Sequence, residues 1–155
     1  MAGEMIDRLS PEFALTAALE SVPELAGKVS AIQPKKDFRA PFAFYTPSTD
    51  EEQEALDGGT GLQGFVCTLH IVAGSFRALQ LLCLKAKRTV RSMCGQTFST
   101  PEKDPDPGPK GRILIEDTDM TQSSPDLFET EVGYFRRMYT VRLDYQTEEV
   151  FDDDD

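Results

Sequence analysis

The clearest alternation lies between Leu62 and Val72, where the apolar residues Phe65, Cys67, Leu69 and Ile71 share one face. A period of two is typical of a strand with one buried face. Gly74 and Ser75 then break the strand and offer a helix N-cap, and apolar residues follow at helical spacing over residues 76–93. This pattern predicts a central strand that leads directly into a long amphipathic helix.

Weaker patterns predict the remaining elements. A Ser-Pro pair opens residues 10–20, which favours a short first helix that ends near Ser21. Prolines on both sides of the aromatic segment 41–46 would place that strand at an edge of the sheet. Further strands are predicted at residues 29–32, 112–117 and 135–145.

Loops are predicted where acidic residues, glycine and proline accumulate. Residues 48–61 contain Asp57-Gly58-Gly59 and read as a long exposed hairpin loop, residues 101–109 contain four prolines, and residues 118–125 are polar. The order of elements predicts an α+β fold. We expect an antiparallel sheet of about four to five strands, with one long helix packed across it and a short N-terminal helix.

Length and charge indicate one domain with an acidic end. The chain has 155 residues, which suits a single core, and a formal net charge of −11. Seven acids fall in the last twelve residues, so we predict a domain over residues 1–147 and an acidic C-terminal tail over residues 148–155. Tight binding to nucleic acid would need clustered lysine and arginine residues. No apolar run is long enough for a membrane span. We therefore expect neither specific DNA binding nor a membrane.

Candidate catalytic groups are few. His70 is the only histidine, so a nucleophile–histidine pair must use it, yet it alternates on the predicted central strand and is better explained as a packed or interface residue. Three distant cysteines and one histidine do not have zinc-site spacing, and the paired aspartates do not continue into a calcium loop. The glycine-rich stretch 58–64 lacks the ending of a phosphate loop. We expect no enzymatic activity, no metal and no cofactor.

Three segments carry a family resemblance. Residues 19–29 (LESVPELAGKV) look like the helix end and first strand of the phage tail-completion, or tail-terminator, family. Residues 41–45 (PFAFY) resemble that family's proline-initiated aromatic strand, and residues 69–76 (LHIVAGSF) resemble its strand that runs into the long helix. The resemblance covers about half of the chain. The proline-rich loop and the acidic end depart from the family pattern.

The resemblance implies a structural virion protein in the neck of a long-tailed phage or gene-transfer particle, assembled in the host cytoplasm. A homo-oligomeric ring, a hexamer in this family, would stack on the tail-tube protein, end tube growth and join the tail to the head-side connector or stopper protein. DNA would pass through an acidic lumen without specific binding. Candidate interface positions are Pro41, Tyr45, Asp57, Gly58, Gly59, Leu62 and Arg142.

Two alternatives remain at this level. A head-completion or connector protein of the same neck would also form a ring and would differ in the partner that it meets. A small acidic enzyme or binding module would instead be a monomer or dimer with a concave pocket. The oligomeric state separates the second alternative from a ring.

Overall fold

The computed structural model describes residues 10–34, 39–48, 63–99 and 111–149. Within these ranges the chain has an α+β fold with two α-helices and a seven-stranded mixed sheet. The sheet order is β1-β2-β3-β7-β5-β4, and β6 also pairs with β7. The elements are α1 (Pro11–Glu20), a 3-10 helix (Pro23–Leu25), β1 (Val29–Ala31), β2 (Phe42–Pro47), β3 (Gln63–Ala73), α2 (Phe76–Ser92), β4 (Thr97–Ser99), β5 (Gly111–Gln122), β6 (Leu127–Glu129) and β7 (Tyr134–Glu149).

Both helices begin at serine caps, as the sequence predicts. The Ser10 hydroxyl accepts a hydrogen bond from the backbone N–H of Phe13 at 3.3 Å. The Ser75 hydroxyl accepts one from the N–H of Ala78 at 3.1 Å. Each bond satisfies a backbone donor that the first helical turn leaves without an internal partner. The predicted helices over residues 10–20 and 76–93 are confirmed.

The predicted central strand is confirmed as β3. It pairs antiparallel with β2 on one side and with β7 on the other. The side chains of Phe65, Cys67, Leu69 and Ile71 point to the face that the helices cover, and all are buried. Alternation in the sequence therefore gives the correct orientation of this strand.

The predicted sheet is only partly confirmed, because it has more strands than expected and is not wholly antiparallel. β1 pairs with β2 in parallel, so β2 lies inside the sheet and the predicted edge position is wrong. Pro41 precedes the strand and Pro47 is its last residue, so neither removes a hydrogen bond from its middle. β4 and β6 are too short to produce a visible period.

Two strands are longer than their predicted ranges. β5 continues to Gln122 through most of the predicted polar loop 118–125, because neither of the two described helices covers one face of the sheet, and that face tolerates polar side chains. β7 continues to Glu149 and so takes in the first two residues of the predicted acidic tail. Residues 150–155, the loop at 101–109 and residues 49–61 of the predicted hairpin loop lie outside the described residues.

Together, β5, β6 and β7 form one long hairpin. β6 follows β5 along the same side of β7, and the loop over residues 123–126 separates them. The tip over residues 130–133 closes with a hydrogen bond from the Gly133 N–H to the Glu129 carbonyl at 2.8 Å, and Gly133 has φ +71. This tip lies at the end of the sheet where β3 leads into α2, which we call the hairpin end.

The main core lies between the helices and the sheet. Its largest fully buried side chains include Leu15 and Leu19 of α1, Leu79 of α2, and Leu69 and Leu143 of the sheet. A smaller cluster of Phe42, Phe44 and Val72 lies on the opposite face, which we call the helix-free face because neither α1 nor α2 covers it. The two clusters give the sheet two apolar faces at its β2–β3 side.

Candidate assembly surfaces

The three candidate interface residues that the structure describes do not form one surface. Tyr45 is fully buried in the main core, so its side chain is a packing group and is not available to a partner. Pro41 is half-buried just before β2, and Arg142 lies on the helix-free face of β7, where its Nε donates to Asp144 at 3.3 Å. The other four positions, Asp57, Gly58, Gly59 and Leu62, lie outside the described residues.

An aromatic patch of Phe76, Phe128 and Phe135 lies at the hairpin end. Phe128 is opposite Phe135 in the β6–β7 register, and their ring centroids are 4.7 Å apart. The ring of Phe76, the first residue of α2, meets Phe135 edge-on at 6.1 Å. Phe128 is 52% exposed and Phe76 46% exposed, and Val132 in the adjacent hairpin tip is also exposed. Contiguous apolar side chains in such positions are typical of an interaction surface.

An ion pair holds the loop beside the aromatic patch. The Arg137 guanidinium donates from Nε and Nη2 to the two carboxylate oxygens of Asp126, each at 2.8 Å. Gln122 donates to the same carboxylate at 3.3 Å. Hydrogen bonding to Arg137 lowers the pKa of Asp126. The loop between β5 and β6 is thereby fixed to β7, which positions Phe128.

A second exposed surface runs along α2. One helix face is buried in the core, and the opposite face carries exposed side chains at alternating spacings of four and three residues. Successive steps of four and three residues keep side chains on one side of a helix. We call this surface the arginine–leucine stripe; it consists of Arg77, Leu81, Leu84, Arg88 and Arg91.

The arginine–leucine stripe combines apolar and basic character. Leu81 is 51% exposed and Leu84 is 48% exposed, and they occupy its middle. None of its three arginines forms an ion pair with any described residue. Lys85, just outside the stripe, differs because its Nζ donates to Glu24 at 2.6 Å and so fixes α2 to the 3-10 helix. The hydrogen bond from Lys85 lowers the pKa of Glu24.

The edge of the sheet at β1 carries a further exposed apolar residue. Ile32 follows β1 with φ +71 and is exposed to solvent. A β-branched residue rarely adopts this left-handed conformation. The Ile32 N–H donates to the Tyr45 carbonyl at 2.6 Å, a contact that holds the strained residue in place.

His70 is a packed residue, as its alternation predicts. Its ring stacks on Phe44 with a centroid distance of 4.3 Å and an interplanar angle of 4°. Burial, and then the charge of Arg136, lowers its pKa. Burial raises the pKa of the Cys67 thiol to about 12 and that of Cys83 to about 11, so neither is a ready nucleophile. Across the described part of the chain, no three His, Cys, Asp or Glu side chains group as metal ligands would.

Sequence reasoning overlooked both exposed surfaces. The sequence contains the spacing of the arginine–leucine stripe, but the basic residues of this helix are also explained by its dipole. The aromatic patch left less signal, since it depends on β6 pairing with β7 beside the start of α2. Contacts between distant segments of this kind do not follow from local periodicity.

No protein-family model matches the chain, and no curated protein matches it. The tail-completion resemblance therefore stays a prediction from the sequence. Of the helices that the structure describes, none combines the length and the apolar content needed to cross a membrane.

Proposed function

We propose that the protein is a structural component of a phage neck that forms a ring on the head-proximal end of the tail tube. The ring ends tube growth and joins the tail to the head-side connector. The observation that carries the proposal is the combination of a predicted tail-completion pattern with two exposed apolar surfaces on one small domain. Oligomers need such surfaces for contacts between copies and with the structures on which they stack.

The two surfaces suit two different contacts. The aromatic patch lies at one end of the sheet, whereas the arginine–leucine stripe lies along the side of the domain. A ring needs side contacts between successive copies and an end contact with the tube. We assign the arginine–leucine stripe to the first and the aromatic patch to the second.

Copies in such a ring meet through different surfaces, as in any head-to-tail arrangement. The net charge of −11 per copy would oppose close packing, so the contacts must bring basic and acidic groups together. The arginine–leucine stripe is a basic surface on a strongly acidic chain. The same excess of acids in a lumen would repel the DNA backbone and allow its passage.

The proposal is tested by measuring the native mass of the full chain, alone and with its tail-tube protein, by light scattering and negative-stain electron microscopy. A closed ring in solution, or a ring that forms only on tube ends, supports the proposal. A strict monomer that is indifferent to the tube contradicts it and favours an enzyme or a binding module. A ring that binds the portal-side connector but ignores the tube identifies a head-completion protein instead.

The aromatic patch is tested separately with Phe128→Asp. About half of this side chain (52%) is exposed, so the fold should persist while binding to tube ends falls by about tenfold or more. Ile32→Asp is the matched control, because it places the same charge on another exposed apolar residue. Equal loss of tube binding in both variants would remove the assignment of the aromatic patch.

A further inference from the structure

The arginine–leucine stripe has a chemically complementary sequence elsewhere in the same chain. Two exposed leucines form its centre, and three arginines without ion pairs to the described residues flank them. Residues 150–155 read Val-Phe-Asp-Asp-Asp-Asp, which is two apolar residues followed by four acids. Apolar groups would cover the leucines, and carboxylates would pair with the guanidinium groups.

The lengths of the two partners also agree. From Arg77 to Arg91 the helix advances about 21 Å at ~1.5 Å per residue. Six extended residues span about 20 Å. A segment that runs in the direction of α2 would place Phe151 over Leu81 and Leu84 and its aspartates along Arg88 and Arg91.

The distance that residues 150–155 can span decides whether they bind the arginine–leucine stripe of their own chain or that of another copy. α2 and β7 run in the same direction, and α2 ends beside Ile115, where the Gly95 N–H donates to the Ile115 carbonyl at 2.7 Å. Ile115 pairs with Tyr145, so Tyr145 marks the point on β7 that lies beside the end of α2. From Tyr145, β7 continues for about 13 Å to Glu149. Leu84 lies about 12 Å in the other direction, eight residues before the end of α2.

The leucines of the same chain are therefore out of range. Phe151 follows Glu149 by two residues, so it lies at most about 7 Å from Glu149. Leu84 is about 25 Å from Glu149 along the axis of α2. We propose that residues 150–155 of one copy bind the arginine–leucine stripe of a neighbouring copy. The inference rests on the proposed ring and specifies its side contact, in which each copy supplies one segment and receives another.

The contact is measured with a fluorescein-labelled peptide of residues 147–155 and a full-length acceptor. The acceptor carries Phe151→Ser and Asp152→Asn, Asp153→Asn, Asp154→Asn and Asp155→Asn, so its own segment cannot compete. We expect saturable one-to-one binding by fluorescence anisotropy. Raising NaCl from about 50 to about 300 mM should weaken the binding several-fold, because ion pairs at a surface are screened.

A charge reversal on the acceptor tests the arginine–leucine stripe. Arg88→Glu with Arg91→Glu should weaken peptide binding by about tenfold or more. Lys28→Glu with Arg39→Glu makes the same change in net charge away from α2 and should leave binding within about twofold. Circular dichroism checks that each acceptor is folded; Arg88→Gln with Arg91→Gln replaces the reversed pair if that pair unfolds. Equal binding to the reversed and control acceptors overturns the proposal.

Mixing two full-length variants tests the contact between copies. The first has the neutralised segment, and the second has the reversed arginines with an intact segment. Each alone should be a monomer, while the mixture should form a one-to-one dimer that cannot grow, because only one segment and one stripe remain functional. A labelled peptide that binds the neutralised acceptor but is excluded from a monomeric wild-type chain would show that each chain covers its own stripe, which overturns the proposal.

The outcomes separate this inference from the proposed function. Stripe-dependent peptide binding and a mixed dimer, without any capping of tail tubes, support the contact and contradict the proposed function. A ring that caps tubes while the peptide fails to bind supports the function and overturns the contact.

Discussion

Arg137 and Asp126 are joined by two hydrogen bonds of 2.8 Å between a guanidinium and a carboxylate. The pair is mostly buried, with 16% of the Arg137 side chain and 22% of the Asp126 side chain exposed. Paired hydrogen bonds of this kind fix orientation as well as contributing energy. They hold the loop between β5 and β6 against β7, next to the aromatic patch.

Asp126→Asn should destabilise the fold by about 1–2 kcal/mol, because it removes the charge and one of the paired hydrogen bonds. Urea denaturation at pH 7 measures this change. The lowered pKa of Asp126 means that its contribution is present above the unfolded value of about 4 and is lost as the pH falls through the folded value. The difference between wild type and variant should therefore shrink below that pH. Asp119→Asn is the exposed control; an equal loss in both variants would contradict the role of the pair.

His70 should make the stability of the fold depend on pH in a second range, separate from that of Asp126. Its lowered pKa means that the folded state favours the neutral ring, while the unfolded chain binds a proton below about 6.5. Stability should be full above that pH and should fall as the pH drops from about 6.5 towards the folded value. Arg136 opposes protonation and Glu129 favours it, but burial is the largest cause.

The measurement uses the single histidine. Its ring resonance in an NMR titration should give a midpoint below about 6.5, and His70→Gln should remove the loss of stability in that window. Phe44→Leu keeps the histidine but removes the stacked ring and is the informative comparison. A midpoint at or above 6.5 would contradict the packed environment.

Local patterns predicted the helices and β3 because each depends on neighbouring residues. Ser75 caps α2, and the alternation through Leu69 and Ile71 fixes the buried face of β3. The parallel pairing of β1 with β2 was not visible, because it is a contact between separate segments. The polar end of β5 was predicted as a loop for a different reason. Asp117, Asp119 and Thr121 lie on the face that neither α1 nor α2 covers, where a strand does not need apolar residues.

The candidate site was less predictable than the fold. The sequence names Tyr45 as a candidate interface residue on an edge strand, yet Tyr45 lies opposite Leu69 on the face that the helices cover and is a core residue. The aromatic patch needs residues from α2, β6 and β7 together, so no single segment reveals it. Surface function of this kind depends on which side chains remain uncovered after folding, and the sequence determines that only through the whole topology.

The three cysteines should differ sharply in reactivity. Cys67 and Cys83 are buried with raised pKa values, whereas Cys94 is exposed and its thiol donates to the Glu116 carbonyl at 3.3 Å. A colourimetric thiol assay of the native chain at pH 8 should detect one fast thiol, and unfolding in guanidinium should release two more. Cys94→Ser should remove the fast phase alone. Rapid reaction of two thiols in the native chain would contradict the burial of α2 against the sheet.

Leu79 and Leu81 form a matched pair on opposite sides of α2. Leu79 is fully buried in the core and Leu81 is 51% exposed in the arginine–leucine stripe. Leu79→Ala should cost about 2–5 kcal/mol of unfolding free energy, because it leaves a cavity, whereas Leu81→Ala should cost less than about 1 kcal/mol. Both changes are identical in helix propensity, so their difference reports burial alone. Urea denaturation at a concentration where the protein is monomeric gives both values. If Leu81→Ala instead destabilises as much as Leu79→Ala, then this side of α2 is packed within the monomer and cannot serve as a contact between copies.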